Sequence, residues 1–438
     1  MFGLSDFKKR LLKEGAWSTF GRVLGALGLL VGVRLLTEVV EKEVYGTVSL
    51  LVGVMTLGLN LLVTPYILAG QRLHSEAALS GDLPRLRQAI VGTLRWTITA
   101  LAAATLLAGA VCSRLTEISY WAFAVLAAFL VVQAVRSLDL YLLIAARRQK
   151  ENSIWQAAEA WAKPALAIVF VLVLGATPQS VLLGYGLAVG GVLLGFLLLG
   201  LPREGVADGQ GPMAPNAKLR ADIRRYATPL IPLALVGWVN TLSDRYMIGG
   251  LLSLGDVGVY SATYGLIGMP FLIAGGAITQ ALFPPYFQAV SAGNTGRERN
   301  LLNAWLLTTV LVCAGGAAAV YFLRHIIAAI LLAAEYRGGA ALMSWIAAGI
   351  GLQAVAQVFE NVLFAYKRTS WVLLQHSAGA AVCLLSVFVL IRKFGLIGAA
   401  AACPVYYLSM VIVGVVLARM AGGRGQTARR EAGEIAGA

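Results

Sequence analysis

Long, nearly uninterrupted runs of apolar residues dominate the chain, and polar residues collect in the short segments between them. A bilayer core about 30 Å thick is crossed by about 20 apolar residues in a helix. Short alternating segments, which would predict a transmembrane β-barrel, are not seen in the sequence. The pattern predicts twelve transmembrane helices, near residues 15–37, 44–69, 89–112, 120–146, 154–174, 180–201, 226–251, 259–286, 300–323, 339–365, 370–391 and 395–419.

The twelve predicted helices fall into two halves. The longest polar connection, residues 202–225, is rich in Gly, Pro and charge and leaves six runs on each side. "EVYGTVSLLVG" (43–53) aligns with "GDVGVYSATYG" (255–265) at one constant offset, close to half the chain length. The alignment pairs Gly46 with Gly258, Ser49 with Ser261 and Gly53 with Gly265. Because six is an even number, both halves enter the membrane in the same direction. We therefore predict an all-α polytopic membrane protein with two six-helix lobes related by a parallel pseudo-twofold repeat.

These boundaries divide the chain into five segments. The first carries Phe2, Leu4 and Phe7 on one side of a helix and lysines elsewhere, which is typical of a helix lying at the membrane surface. We predict an interfacial N-terminal helix (1–14), an N-lobe (15–201), a cytoplasmic linker (202–225), a C-lobe (226–419) and a disordered cytoplasmic tail (420–438).

Composition and charge agree with a membrane protein. Of the 438 residues, 59% are hydrophobic and 13% are charged, and the net charge is +14. Sorted by side, 23 lysines and arginines fall in the predicted inner segments and 6 in the outer ones. This asymmetry follows the positive-inside rule and places both termini in the cytoplasm. It also explains the positive charge without a nucleic-acid partner.

Motifs for catalysis are missing from the sequence. It has no phosphate-binding G-x-x-x-x-G-K-[ST] loop, and its three histidines are far apart without metal-ligand spacing. No predicted outer loop exceeds about 15 residues, although a membrane glycosyltransferase or ligase needs room for a catalytic loop. We expect a protein that is not an enzyme and has no bound metal or cofactor.

Four acids and six bases fall inside the predicted membrane runs, where each charge is costly and is expected to be paired or to face water. Arg136 and Asp139 are three residues apart and are predicted to pair on one helix face. Glu159 and Lys163 are four apart and are predicted to cancel in the same way, with a structural and a cavity role equally open.

Asp244 and Arg245 cannot pair simply with each other, because neighbours on a helix point about 100° apart. Each therefore needs a partner on another helix or water. Asn240, one turn earlier, extends this polar stripe. We favour an interhelical latch for Asp244, while for Arg245 a latch and a cavity role are equally open.

Two more features concern the interior of the helix bundle. Arg22 lies about 10 Å into the first helix, which favours a cavity role, whereas Arg34 and Arg95 are interpreted as snorkelling to the surface. Gln353, Gln357 and Glu360 form a polar stripe with Asn361 on the tenth helix, which favours a hydrated path over simple helix packing. A small-residue face on the first helix instead predicts close helix packing. It comprises Gly21, Gly25, Gly28 and Gly32.

Three segments resemble polysaccharide transporters, the flippases of O-antigen and exopolysaccharide precursors in the superfamily that also holds MATE exporters and lipid II flippases. They are "GVRLLTEVVEKEVYGTVSLL" (32–51), "DRYMIGGLLSLGDVGVYSATYGL" (244–266) and "ILLAAEYRGGA" (330–340). The first departs from the common form because it lacks a Gly-Pro before its acidic residues.

The resemblance implies that the protein moves undecaprenyl-diphosphate-linked oligosaccharide to the outer leaflet of the bacterial inner membrane by alternating access, for lipopolysaccharide or exopolysaccharide synthesis. It implies a positively charged cavity between the lobes, in which Arg22 and Arg245 bind the diphosphate. Coupling to protons or sodium stays open. The partners would be membrane lipids, a polysaccharide polymerase and glycosyltransferases.

Three alternatives remain from the sequence. A MATE-like exporter of drug cations would need an acid without basic company in the N-lobe, and the first helix offers Arg22 instead. A membrane glycosyltransferase or ligase would act on the lipid-linked sugar. A non-transporting assembly partner would tolerate loss of every cavity charge.

Overall fold

Every predicted apolar run lies on one helix or on two consecutive helices in the computed structural model, which describes residues 4–199 and 217–437. The helices are α1 (Leu4–Val39), α2 (Lys42–Leu62), α3 (Thr64–Ser80), α4 (Leu83–Leu115), α5 (Tyr120–Ala145), α6 (Gln149–Leu174), α7 (Pro178–Leu198), α8 (Ala217–Ala227), α9 (Leu230–Leu251), α10 (Leu254–Ser291), α11 (Thr295–Leu331), α12 (Ala340–Ala365) and α13 (Thr369–Gly437). A 3₁₀ turn, Ala334–Gly339, precedes α12. The predicted all-α class is confirmed.

Ten stretches among the described residues are long and apolar enough to cross a membrane. One of them, Thr369–Gly422, has 54 residues, or about 80 Å of helix, which is more than twice the bilayer core. Gly395 breaks it with φ 58° and ψ −139°, so this stretch contains the last two predicted spans. The less apolar α9, which carries Asp244 and Arg245, completes the predicted twelve. The chain is a multi-pass membrane protein.

The helices form two compact units, Met1–Leu235 and Val236–Ala438. In unit 1, α1 packs on α6, and α5 packs on α4 and α7. Its core is built from leucine and valine side chains such as Leu126, Leu130 and Leu182. In unit 2, α12 is the central helix and packs on α10, α11 and α13.

The two units repeat the same helix pattern along the chain. The number of residues that separates Gly46 from Gly258 is called the first offset below. The same offset relates the short break between α1 and α2 to the break between α9 and α10. It relates the start of α4 to the start of α11 as well. After the 3₁₀ turn a slightly larger value, the second offset, relates the start of α6 to that of α13. The helix boundaries thus extend the short sequence repeat over most of each unit.

The backbone turns repeat as well. All described residues with positive φ form three pairs: Gly81 with Gly293 at the first offset, and Arg147 with Lys367 and Gly175 with Gly395 at the second. Left-handed backbone is disfavoured for residues with a Cβ, and yet a basic residue adopts it at the same turn in both units. The longer α11 and the 3₁₀ turn of unit 2 account for the change of offset.

The structure differs from the sequence prediction in three places. Residues 4–14 are the first turns of the continuous α1 and not a separate helix, and their position at the membrane surface stays a prediction. The predicted second run is divided between α2 and α3, because Pro65 stands at the start of α3 and cannot donate a backbone hydrogen bond. The backbone that was expected to be disordered after residue 420 is helical to Gly437.

The predicted linker also contains a helix. Residues 200–216 lie outside the described part of the chain, but α8 follows within the predicted linker. It packs on α3 and α4 through the buried Ile223 and Ala227. Arg72 of α3 stacks on the ring of Tyr226, with 4.9 Å from its guanidinium carbon to the ring centre.

The glycine face of α1 contacts α6, as predicted. A Cβ at Gly28 would lie 2.8 Å from the Trp161 ring, and one at Gly32 would lie 2.6 Å from Pro164. The Trp161 indole donates a 3.0 Å hydrogen bond to the Leu24 carbonyl. The glycines therefore let the two backbones approach closely, which confirms the helix-packing interpretation.

Candidate functional site

A cavity of about 430 Å³ opens within unit 1 among α1, α2, α5 and α6. Its walls combine apolar residues, mostly of α1 and α2, with polar and basic residues of α2, α3, α5, α6 and α7. The polar and basic residues are Tyr45, Thr56, Asn60, Thr64, Gln133, Arg136, Ser137, Tyr141, Lys163 and Tyr185. A cavity with a few convergent polar groups is the usual form of a ligand site.

Both basic residues of this cavity share one carboxylate. Glu159 binds Arg136 of α5 through Oε2 and Lys163, one turn along α6, through Oε1 at 2.6 Å. Glu159 is only 5% exposed, while the Arg136 and Lys163 side chains are 15% and 27% exposed. The predicted Glu159–Lys163 pair is thus confirmed, with a second base added to it.

The predicted Arg136–Asp139 pair is not the arrangement that the structure forms. Asp139 instead accepts a 2.6 Å charged hydrogen bond from Arg87 of α4. Side chains three residues apart can meet on one helix, but here each reaches a neighbouring helix that offers a partner with better geometry. Arg87 could not be assigned to a membrane partner from the sequence, since it falls in a predicted inner segment.

The charges of the cavity do not cancel. Two cations and one carboxylate leave one net positive charge in a largely apolar wall. Electrostatic attraction is stronger there than in water, because the effective dielectric constant is lower. The cavity is therefore suited to an anion, and its amide and hydroxyl groups can supply neutral hydrogen bonds.

Unit 2 has a smaller pocket, of about 200 Å³, among α9, α10, α12 and α13. Gln353, Gln357 and Glu360 of the predicted polar stripe line it, together with Asn240 and His376. The second offset relates Gln353 and Gln357 to Gln133 and Ser137 of the unit 1 cavity. Each unit thus has an internal pocket against the same helix, with basic residues in unit 1 and an acid–histidine pair in unit 2.

Asp244 and Arg245 both find partners on α10, as their positions on α9 required. Asp244 accepts a 2.6 Å hydrogen bond from the Tyr260 hydroxyl. Arg245 donates to Ser261 Oγ at 3.2 Å, and its guanidinium carbon lies 4.9 Å from the ring centre of Tyr264. Asp244 and Arg245, taken as whole residues, are 1% and 8% exposed. These contacts join α9 to α10 within unit 2.

The family follows from a comparison of the sequence. The profile of the family described as "Polysaccharide biosynthesis protein" matches residues 11–290, more than half of the chain. The chain belongs to this family. The matched range includes every residue that lines the unit 1 cavity and the residues that form the α9–α10 contacts. Of the three resembling segments, 32–51 and 244–266 lie inside the match and 330–340 lies beyond it.

Solved structures with low sequence identity share the fold. An inward-facing multidrug resistance MATE family transporter of the MOP superfamily has a TM-score of 0.78 at 12% identity, over 93% of this chain and 96% of that one. The lipid II flippase MurJ in an inward closed conformation has a TM-score of 0.72 at 11% identity, over 93% and 87%.

A third similar structure is a MOP superfamily transporter from Pyrococcus furiosus, with a TM-score of 0.65 at 11% identity and 96% coverage of both chains. It is described as having a binding pocket whose reverse polarity suggests a different function. A comparison with curated proteins finds no significant match. This chain therefore shares the fold of these transporters and of the flippase, and the family match confirms the predicted relationship to polysaccharide biosynthesis proteins.

The remaining predicted site residues lie elsewhere in the described part of this family member. Arg22 is exposed on α1, two turns before Leu29, the first residue of α1 to line the cavity. Arg34 pairs with Glu38 on the same helix, and Arg95 is exposed against Trp96. The diphosphate-binding role predicted for Arg22 and Arg245 stays a prediction.

His376 is the pocket residue that the sequence reasoning missed. Its Nε2 lies 3.3 Å from Glu360 Oε2 of α12, and its carbonyl accepts a 2.9 Å hydrogen bond from Asn240. The three histidines were set aside because they lack metal-ligand spacing. The signal that could have found it is the repeat, since the second offset relates His376 to Gln156, one turn before Glu159.

Proposed function

We propose that the protein is a flippase that moves undecaprenyl-diphosphate-linked oligosaccharide from the inner to the outer leaflet of the bacterial cytoplasmic membrane, for synthesis of a surface polysaccharide. The observation that carries this proposal is the net positive cavity of unit 1, with Arg136 and Lys163 held by the single carboxylate of Glu159. The family match and the shared fold support it.

The residues of the cavity fit a diphosphate chemically. The planar Arg136 guanidinium can bind two phosphate oxygens at once, and the Lys163 ammonium adds a point charge. In the absence of substrate, Glu159 satisfies both cations, which avoids leaving them unpaired in an apolar wall. A diphosphate carries more negative charge than one carboxylate and can therefore compete for both bases.

The same residues argue against an exporter of drug cations. In unit 1, Glu159 is held by two bases and Asp139 by Arg87. Neither buried acid is thus available to a cationic drug without displacing a base. We further infer that the protein is not an enzyme, since the structures that share its fold are described as transporters and a flippase.

The wider assignment rests on the charge asymmetry and the proposed substrate. Both termini would be cytoplasmic, and alternating access stays part of the proposal. A glycosyltransferase would build the lipid-linked oligosaccharide before transport, and a polymerase would use it afterwards. Arg22 and Arg245 stay candidate contacts for the diphosphate along its path.

The test is export of surface glycan in a bacterial strain that lacks the native gene. Arg136→Ala and Lys163→Ala should each reduce export by at least about tenfold, because each removes a charged contact worth roughly 1.5 kcal/mol or more. Arg95→Ala is the matched control, since Arg95 is an exposed arginine of the same unit. Membrane abundance is followed by immunoblot.

The double variant decides the outcome. If Arg136→Ala with Lys163→Ala exports glycan normally at normal abundance, the unit 1 cavity does not bind the substrate. Loss of drug resistance in a sensitised strain, with glycan export unchanged, would instead favour the exporter alternative.

A further inference from the structure

The unit 2 pocket contains an ionisable pair that the proposed anion site does not use. Glu360 and His376 both line the pocket, on α12 and α13, with 3.3 Å between Oε2 and Nε2. Their side chains are 23% and 17% exposed. The contact is an ion pair by distance and lacks the alignment of a hydrogen bond, so both groups still have capacity for a proton or a water molecule.

We propose that this pocket is a proton-binding site in which Glu360 and His376 together take up and release one proton. With a neutral imidazole the pair carries one negative charge, which is unfavourable among membrane helices. Addition of one proton gives imidazolium beside carboxylate, a pair without net charge. Histidine is suited to this exchange because its ordinary charge change falls near physiological pH.

The ionisable groups near the pair are not expected to take up this proton in place of Glu360 or His376. Tyr407 is the remaining ionisable residue in the pocket wall, and its hydroxyl is 3.5 Å from the Asn240 carbonyl. Asp244 and Arg245 on α9 are engaged by α10. On α11, Glu298 is held by the hydroxyls of Tyr286 and Tyr366. The side-chain amides of Gln353 and Gln357 can form hydrogen bonds with water in the pocket, but they do not ionise.

The position of His376 links its charge to the packing of three helices. Its side chain faces Glu360 on α12, while its carbonyl accepts from Asn240 on α9. Gly379, one turn later on α13, gives Asn240 room, since a Cβ there would lie 3.0 Å from Asn240 Oδ1. A proton on the pair therefore changes the charge at the point where α9, α12 and α13 meet. If the proposed transport is correct, this site couples it to the proton gradient.

The closing experiment uses no oligosaccharide, so its outcome is independent of the proposed function. In a chain whose four cysteines are replaced by alanine, a reporter thiol is introduced by Gln353→Cys, in the pocket wall. The protein is reconstituted in nanodiscs and treated with a cationic or an anionic methanethiosulfonate reagent of similar size. The rate of labelling by the cationic reagent is divided by the rate of labelling by the anionic reagent. The ionisation of the thiol affects both rates equally, so this ratio reports the local charge of the pocket.

The ratio should fall by roughly tenfold between about pH 8 and about pH 5, as the pocket loses its negative charge. His376→Gln should keep the ratio high throughout, since Glu360 remains charged. Glu360→Gln should give a low ratio already at about pH 8. Two controls are available: His325→Gln, an exposed histidine, should leave the change intact, and a reporter from Gln133→Cys in the unit 1 cavity should favour the anionic reagent.

Two results would overturn the proposal. The first is a ratio that does not change with pH at position 353 and at a second reporter, Gln357→Cys. The second is an equal fall of the ratio when sodium replaces potassium at constant pH, which would assign the pocket to sodium. A pH-dependent fall with the pair intact, together with its loss in His376→Gln, supports the proposal, because a pair of constant charge would not produce the fall.

Discussion

Single residues determine the charge balance of the unit 1 cavity. Glu159 is the shared counter-ion of Arg136 and Lys163, and one buried carboxylate bound to two bases leaves the cavity ready for an anion. The sequence showed the Glu159–Lys163 spacing but could not show Arg136, because that partner lies on another helix. Residue spacing along one helix predicts ion pairs within that helix, whereas ion pairs between helices depend on how the helices pack.

Loss of Glu159 should destabilise the protein strongly. Glu159→Ala leaves two largely buried cations without a counter-ion, which costs about 3–5 kcal/mol. Glu38→Ala is the matched control, since Glu38 is exposed and pairs with the partly exposed Arg34 on the same helix, and its loss should cost less than about 1 kcal/mol. Thermal unfolding of the purified variants measures both. Equal Tm values for the two variants would contradict the shared counter-ion.

The Asp244–Tyr260 contact should act as a latch between α9 and α10. Tyr260→Phe removes the 2.6 Å hydrogen bond to a fully buried carboxylate and should cost about 1–3 kcal/mol. Tyr264→Phe is the control, because its hydroxyl makes a longer, 3.4 Å contact with Tyr407. The Tm should fall more for Tyr260→Phe. If only glycan export falls and Tm is unchanged, Asp244 has a transport role and not a latch role.

At the level of elements, the helices follow closely from apolar length. The sequence could not give their extensions, because residues beyond the membrane core are polar and look like loops. α10 and α11 therefore continue past the predicted runs to Ser291 and back to Thr295. Nor could it separate α2 from α3, because Pro65 is apolar enough to continue the run while it ends the helix.

The packing of α1 on α6 gives a matched pair of substitutions. A Cβ at Gly32 would lie 2.6 Å from Pro164, but one at Gly25 would lie 3.8 Å from Ala160, an ordinary contact. Gly32→Ala should force the helices apart and lower Tm. Gly25→Ala should be neutral or stabilising by up to about 1 kcal/mol, because alanine favours a helix. A larger Tm loss for Gly25→Ala would show that the helices pack differently.

At the level of the whole molecule, the repeat explains both the fold and the division of charge. Helix starts and left-handed turns recur at the first and second offsets, so each unit forms an internal pocket against α5 or α12. The side chains of the two pockets differ, with Arg136 and Lys163 in one unit and Glu360 and His376 in the other. The sequence showed the repeat in one short segment only, since apolar membrane positions exchange freely and erase the rest.

The parallel repeat makes a prediction about membrane sidedness. The basic asymmetry of 23 to 6 places the turn between α3 and α4 on the cytoplasmic side and the turn after α4 outside. Ser80 and Glu117 are exposed in these two turns, at opposite ends of α4. In intact cells that express a cysteine-free chain, Glu117→Cys should react with an impermeant thiol reagent and Ser80→Cys should not.

The same measurement in unit 2 decides the orientation of the second half. Ala292 is related to Ser80 by the first offset and is exposed in the equivalent turn. Since six helices separate equivalent positions, Ala292→Cys should be shielded like Ser80→Cys, and Glu335→Cys, beyond α11, should react. Labelling after permeabilisation shows that the shielded thiols are reactive. Reaction of Ala292→Cys from outside would mean an inverted repeat or an odd number of spans between the two turns, and would refute the parallel arrangement.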